Sequence, residues 1–275
     1  MRIHLYNFVR LTFGGYLPQI LHFWRKLLIL PLVVLLIFAS SIPSAYAQST
    51  VLSPKQVVEY ALTLEKLESD FYTKAIAAAQ NGGLKNAPQI AKDAITAYGA
   101  DEAQHVTDLS SVLSDLGGDP EAIAIPTNPN YSAILKRDPF ANPQDFLLAG
   151  QYVEDLGVAA YKGQVQNLLA AGEAGKPILA AALAIHSVEA RHAAGIRSLR
   201  QSLLGAEVRP WIRNASEVIY QENRSNSPIP FSSDAFDGYA TRDEVLALVA
   251  PILTTSQPST NSNRENMTRP IRALW

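Results

Sequence analysis

The chain has 275 residues, enough for one or two domains with a sizeable core, and it contains no cysteine, which excludes disulfides and thiolate metal sites. A charged fraction of 17% and a hydrophobic fraction of 48% exclude a chain disordered over most of its length. Four of the 23 basic residues, Arg2, Arg10, Arg25 and Lys26, precede residue 48, where no acid occurs; the remainder sets 19 basic against 25 acidic residues, lacks a basic cluster, and excludes a nucleic-acid binder.

The first 47 residues pair a basic stretch ending at Arg25-Lys26 with an apolar run from Leu27 to Ala39 and the small-residue pattern Ala45-Tyr46-Ala47. This is the layout of a secretory signal peptide cleaved near Ala47. At 1.5 Å per residue the run spans about 20 Å, short of a ~30 Å hydrocarbon core, so the mature form is expected not to span a membrane. The expected location is secreted, periplasmic or extracellular.

Four long segments then follow with helical periodicity, and no strand-rich region competes. The first opens at Ser53-Pro54 with Gln56 completing a capping box and stops at Asn81-Gly82-Gly83. The second is expected from about Asn86 to Gly117-Gly118, the third from Asn142-Pro143 to about Gly172, and the fourth from about Pro177 to Gly205. Short links force the first and second, and the third and fourth, into antiparallel hairpins. The 25 residues from Gly118 to Asn142 are rich in Pro and Asn and long enough to run back along a whole helix. The fold class is therefore all-α, a four-helix bundle over residues 53–204 whose two hairpins are joined by a long crossover.

Residues 205–275 form a polar, Pro-rich extension, expected to be largely loop. One short helix is predicted near 241–250, where Thr241 and Glu244 make a capping box before Val245, Leu246, Leu248 and Val249. It is expected to dock on the bundle.

Polar residues interrupt the apolar stripes in a repeated way. The second helix carries Tyr98, Glu102, His105 and Leu109 on one stripe, and the fourth carries Ile185, Glu189, His192 and Ile196. Each contains Glu-x-x-His, a spacing that puts both side chains on one face, about 60° apart, within reach of a common point. With 13 Glu and 5 His in the chain, chance supplies about a quarter of one such pair, and two are present. The other helices each place a glutamate two turns before a tyrosine, Glu65 with Tyr72 and Glu154 with Tyr161, at an offset of 89 residues. The two Glu-x-x-His motifs lie 87 residues apart, as in a duplicated helical hairpin.

One Glu on each of two helices, with Glu-x-x-His on each of the other two, resembles the ferritin-like superfamily, and the secreted domains of the desiccation-related type in particular. The resemblance covers roughly residues 53 to 204. It implies a ferritin-like bundle holding two divalent metal ions, Fe or Mn. Glu65 and Glu154 would be terminal ligands, Glu102 and Glu189 bridging ones, and His105 and His192 the imidazole ligands. Glu68 also faces inward and rivals Glu65, but its equivalent on the third helix is Gly157, so pseudo-symmetry selects Glu65.

Four carboxylates in a bundle centre must be protonated, paired or metallated, and two divalent cations with two neutral imidazoles cancel their charge. In a metal-free alternative, protonated His105 and His192 would pair with the glutamates, but two cations fall short of four anions. Carboxylate with imidazole suits Fe, Mn and Zn better than Ca or Mg. His186 is expected as a partly exposed histidine, Tyr72 and Tyr161 as core aromatics with satisfied hydroxyls, and Glu59, Asp101 and Asp155 as solvated or helix-flanking charges.

Two functions follow. In one, the centre oxidises Fe(II) or consumes O2 or peroxide, as a ferroxidase or a manganese-catalase-like enzyme acting in stress protection. In the other, the chain is a non-catalytic desiccation or stress protein with a structural or vestigial site. A monomer or homodimer is expected rather than a cage, since the long polar tail would hinder packing of many copies.

Overall fold

The computed structural model describes residues 51–211, 217 and 237–254. The expected leader, its cleavage position and the Asn-x-Ser/Thr tripeptides at Asn214, Asn223 and Asn266 lie outside the described residues, while a fourth such tripeptide, at Asn130, lies within them. Among the described residues the α-helices are α1 (Pro54–Asn81), α2 (Gln89–Asp115), α3 (Ser132–Leu135), α4 (Pro143–Gly163), α5 (Val165–Ala170), α6 (Lys176–Leu204) and α7 (Arg242–Val249), with no strand. None of these helices is long and apolar enough to cross a membrane.

The long helices start and stop on local chemistry. The Ser53 side chain accepts from Gln56 N–H, the Gln56 side chain accepts from Ser53 N–H, and Pro54 fills the first turn where no intrahelical donor is needed. Asn142 caps α4 by accepting from the Asp145 amide at 2.9 Å. Gly205, with φ 63, ends α6 by turning left-handed so that its N–H meets the carbonyls of Arg200 and Gln201. α2 begins later than the sequence suggests: Pro88 is its cap and makes no side-chain cap bond.

α1 packs on α2 and α4 on α6, giving two antiparallel hairpins. The crossover between α2 and α4 is held against α1. Lys66 donates to the carbonyls of Pro120 and Ile123 at 2.8 Å each, and the Tyr131 hydroxyl donates to Leu67 O at 2.7 Å. This is the all-α, ferritin-like bundle with one long connection that the loop lengths require.

The third helix departs from expectation. It breaks at Gln164, where the Gln164 amide bonds back to Tyr161 O in a tighter turn, and α5 resumes the path. The reason is the returning C-terminal segment. Ala240 N–H donates to Ala159 O at 3.1 Å, and a Cβ on Gly163 would stand 1.9 Å from Ala240 O, so only glycine admits the approach. α7 follows at once, capped by the reciprocal Thr241–Glu244 box, and buries Val245 and Val249 against Tyr60, Leu64, Leu67 and Ala160.

Two apolar clusters divide the bundle lengthwise. One contains Phe71, Tyr72, Ile95, Phe146 and Ile196; the other contains Leu62, Leu109, Leu113, Tyr161 and Ile185. In every long helix the expected polar residues fall between its contributions to the two clusters: Glu65 in α1, Glu102 and His105 in α2, Glu154 in α4, Glu189 and His192 in α6. The fold thus sets a charged layer between two greasy plugs.

Candidate metal centre

Glu65, Glu102, His105, Glu154, Glu189 and His192 are all buried, and the bundle brings them into two overlapping groups. Glu65, Glu102, His105 and Glu189 each offer an atom within 4.8 Å of the others, and so do Glu102, Glu154, Glu189 and His192. Glu102 and Glu189 belong to both groups. His105 Nδ1 lies 3.1 Å from Glu65, 3.0 Å from Glu102 and 3.4 Å from Glu189. His192 Nδ1 lies 2.8 Å from Glu102 and 3.6 Å from Glu154.

These contacts are not a closed hydrogen-bond network. His192 Nδ1 and Glu102 Oε1 are close yet not aligned as a hydrogen bond, and both oxygens of Glu189 and one of Glu154 are buried without a hydrogen-bond partner. Unpaired buried acceptors are costly, so their convergence from three helices fits a cation that would take their lone pairs. The donor set of carboxylate oxygen and imidazole nitrogen suits Fe, Mn or Zn.

The electrostatics of the metal-free centre point the same way. Burial, then the neighbouring Glu68 and Glu65 charges, push Glu189 well above the usual carboxylate range, and burial raises Glu65 and Glu154 as well. Burial disfavours the charged imidazole, but contacts with Glu102 and Glu65 outweigh it and push His105 up to about 10. Contacts with Glu102 and Glu154 push His192 up to about 10 in the same way. Glu102 faces both histidines, and they hold it down against the effect of its burial. Without metal, the site keeps protons in place of cations.

The surroundings orient the donors. The Tyr72 hydroxyl donates to Glu154 and the Tyr161 hydroxyl to Glu65, each from the opposite hairpin, so both tyrosines are the satisfied core aromatics expected. His192 Nε2 lies 3.0 Å from Asp101, which fixes a neutral ring as the Nε2–H tautomer and turns the Nδ1 lone pair inward. Tyr98 stacks on His192 with centroids 4.2 Å apart. Gly195 makes room for that ring: a Cβ there would stand 1.8 Å from the Tyr98 hydroxyl. A Cβ on Gly157 would likewise stand 2.8 Å from Glu189 Oε2.

A family model described as ferritin-like domain matches residues 53–202. The chain belongs to the ferritin-like domain family. Comparison with curated proteins and with solved structures gives no significant match. As a ferritin-like domain it carries buried acidic and histidine groups that could hold metal ions, arranged as for a dinuclear site.

One charge read as solvated or helix-flanking is buried in this ferritin-like domain, and another reaches the centre. Asp155 is 5% exposed and binds the buried Arg197 through two contacts, at 3.1 and 2.6 Å. Its partner lies one helix away and 42 residues on, which no local pattern reveals. The Asp101 side chain is 55% exposed, as expected, but its reach to His192 was not anticipated; its place one residue before Glu102 was the available signal. Glu68 is buried yet belongs to neither four-residue group, and His186 is half-buried with Nε2 unpartnered.

Proposed function

We propose that Glu65, Glu102, His105, Glu154, Glu189 and His192 bind two divalent ions, Fe or Mn. In this reading Glu65 and Glu154 are terminal ligands, Glu102 and Glu189 bridge, and each ion takes one imidazole. The observation that carries it is the pair of overlapping groups sharing Glu102 and Glu189. We further propose that the protein is exported, is of the desiccation-related type, and oxidises Fe(II) or consumes O2 or peroxide in stress protection as a monomer or homodimer.

Bound Fe or Mn would supply the electrons for reducing O2 or peroxide. The chain supplies the rest. Tyr72 and Tyr161 each hold one oxygen of a terminal glutamate, leaving the other for the ion. Asp101 and Tyr98 hold the His192 ring in register. The apolar clusters on either side keep bulk water from the charged layer, which strengthens each electrostatic contact within it.

The test is elemental analysis and turnover of the protein beside Glu102→Ala and Glu189→Ala. The reading predicts two equivalents of Fe or Mn, lost in both variants, with Fe(II) oxidation or peroxide consumption by the wild type alone. Metal bound without turnover would instead make the chain a non-catalytic stress protein, and no metal would overturn the reading.

A further inference from the structure

The two sides of the bundle that flank the charged layer differ. Where α2 meets α6 the surface is polar: the Asp101 side chain is 55% exposed and reaches His192, and the His105 side chain is 10% exposed. Where α1 meets α4, the crossover and α7 cover the bundle and leave an apolar cavity of about 190 Å³, half open to solvent. Leu67 and Phe71 of α1, Val153 and Leu156 of α4, Ile134 of the crossover and Leu248 of α7 line it.

The cavity leads toward the centre. Its lining holds one carboxyl side chain, Glu68, one helical turn beyond Glu65. Glu68 is 8% exposed and Glu189 0%, so accessible surface runs inward as far as Glu68 and ends there. Glu68 Oε1 lies 3.3 Å from where a Gly157 Cβ would stand, the point that Glu189 Oε2 approaches at 2.8 Å. Gly157 has no side chain to fill this gap, and a small molecule at Glu68 is one side chain away from Glu189. The hydroxyl of Tyr131, which also lines the cavity, is already engaged with Leu67 O and Asp70.

Such a wall discriminates between oxidants. A hydroxyl moved from water to an apolar surface without a partner is costly, and hydrogen peroxide carries two, whereas O2 gives up no strong hydrogen bond. Apolar cavities of about 150 Å³ take up benzene or xenon, so this one has room for a diatomic gas. We propose that the cavity is a gas site, the port through which O2 reaches the centre from the α1–α4 side, and that hydrogen peroxide does not use it. The gas site stands on the cavity alone; delivery of O2 to a metal rests on the dinuclear reading, and makes O2 the oxidant that this side of the fold admits.

Xenon, an apolar probe with strong anomalous scattering, tests the site: pressurised crystals of the metal-free protein are expected to show xenon beside Phe71 and Leu156. Ala133→Trp and Leu248→Trp bring an indole to the mouth from the crossover and from α7. Both positions are half-buried, so each variant is expected to fold, keep its metal content and exclude xenon. In stopped-flow oxidation of the Fe(II)-loaded protein, each is expected to slow the reaction with O2 about tenfold or more and to leave the reaction with hydrogen peroxide unchanged. If one variant fails to fold, the other decides. No xenon in the wild-type cavity, an O2 rate unchanged in a folded variant that excludes xenon, or equal slowing with both oxidants would each overturn the proposal. Xenon bound in protein that holds no metal would instead sink the dinuclear reading, and the delivery step with it, and leave the gas site standing.

Discussion

The hydroxyl of Tyr161, on α4, donates to the carboxylate of Glu65, on α1, in the other hairpin. Tyr72 and Glu154 repeat the arrangement in reverse. If each tyrosine holds its glutamate for an ion, Tyr161→Phe and Tyr72→Phe should weaken metal binding about 10–100-fold, the range for lost partners of metal ligands. Competition titration with a chelating dye checks this, and the pseudo-symmetry predicts similar losses for the two variants. A loss confined to one variant would deny the symmetry.

Asp101→Asn separates orientation of His192 from stability. The Asp101 side chain is largely exposed, so the substitution should change stability by no more than about 0.5 kcal/mol. Its contact with His192 Nε2 should nevertheless make metal affinity fall about tenfold or more. Asp93→Asn, an exposed aspartate on the same helix, serves as the control and should leave affinity unchanged.

Much of this arrangement is legible in the sequence because it is local or repeated. Ser53 with Gln56 and Thr241 with Glu244 announce two helix starts, both realised as reciprocal capping boxes. The spacing of Glu102 with His105 and of Glu189 with His192 puts each pair on one face, and the 89-residue offset locates Glu65 and Glu154. What stays hidden depends on partners distant in sequence. Asp155 is buried because α6 presents Arg197 to it, and the third helix breaks at Gln164 because Ala240 returns against Gly163. Neither Gly195 nor Tyr98 carries any local sign that one makes room for the other.

Stability should respond to pH differently in the two forms. In metal-free protein, His105 and His192 are held at about 10, so their contribution is complete below the ordinary histidine range and is lost as pH rises through about 10. Glu65, Glu154 and Glu189, all raised, also favour the protonated fold, whereas Glu102, held low, contributes fully throughout this range. The melting temperature without metal should therefore fall between about pH 6 and 9. The gain on adding Mn(II) should grow over the same range, because binding displaces those protons. Calorimetric scans with chelator or with Mn(II) check this, and parallel slopes would contradict it.

The pair of Asp155 and Arg197 predicts a stability defect outside the centre. Asp155→Ala leaves a buried guanidinium without its two-point partner and should cost about 3–5 kcal/mol in denaturant unfolding. Arg197 retains its contact with Glu217, so the lower end is expected. Metal content of the folded variant should be unchanged, since Asp155 belongs to neither group of candidate ligands.

The most direct test is anomalous X-ray scattering from crystals of the protein at the Fe and Mn edges. Two peaks are predicted inside the bundle, both flanked by Glu102 and Glu189, one beside His105 and Glu65 and the other beside His192 and Glu154. A centre without anomalous density, in protein grown and purified with both metals supplied, would contradict the account.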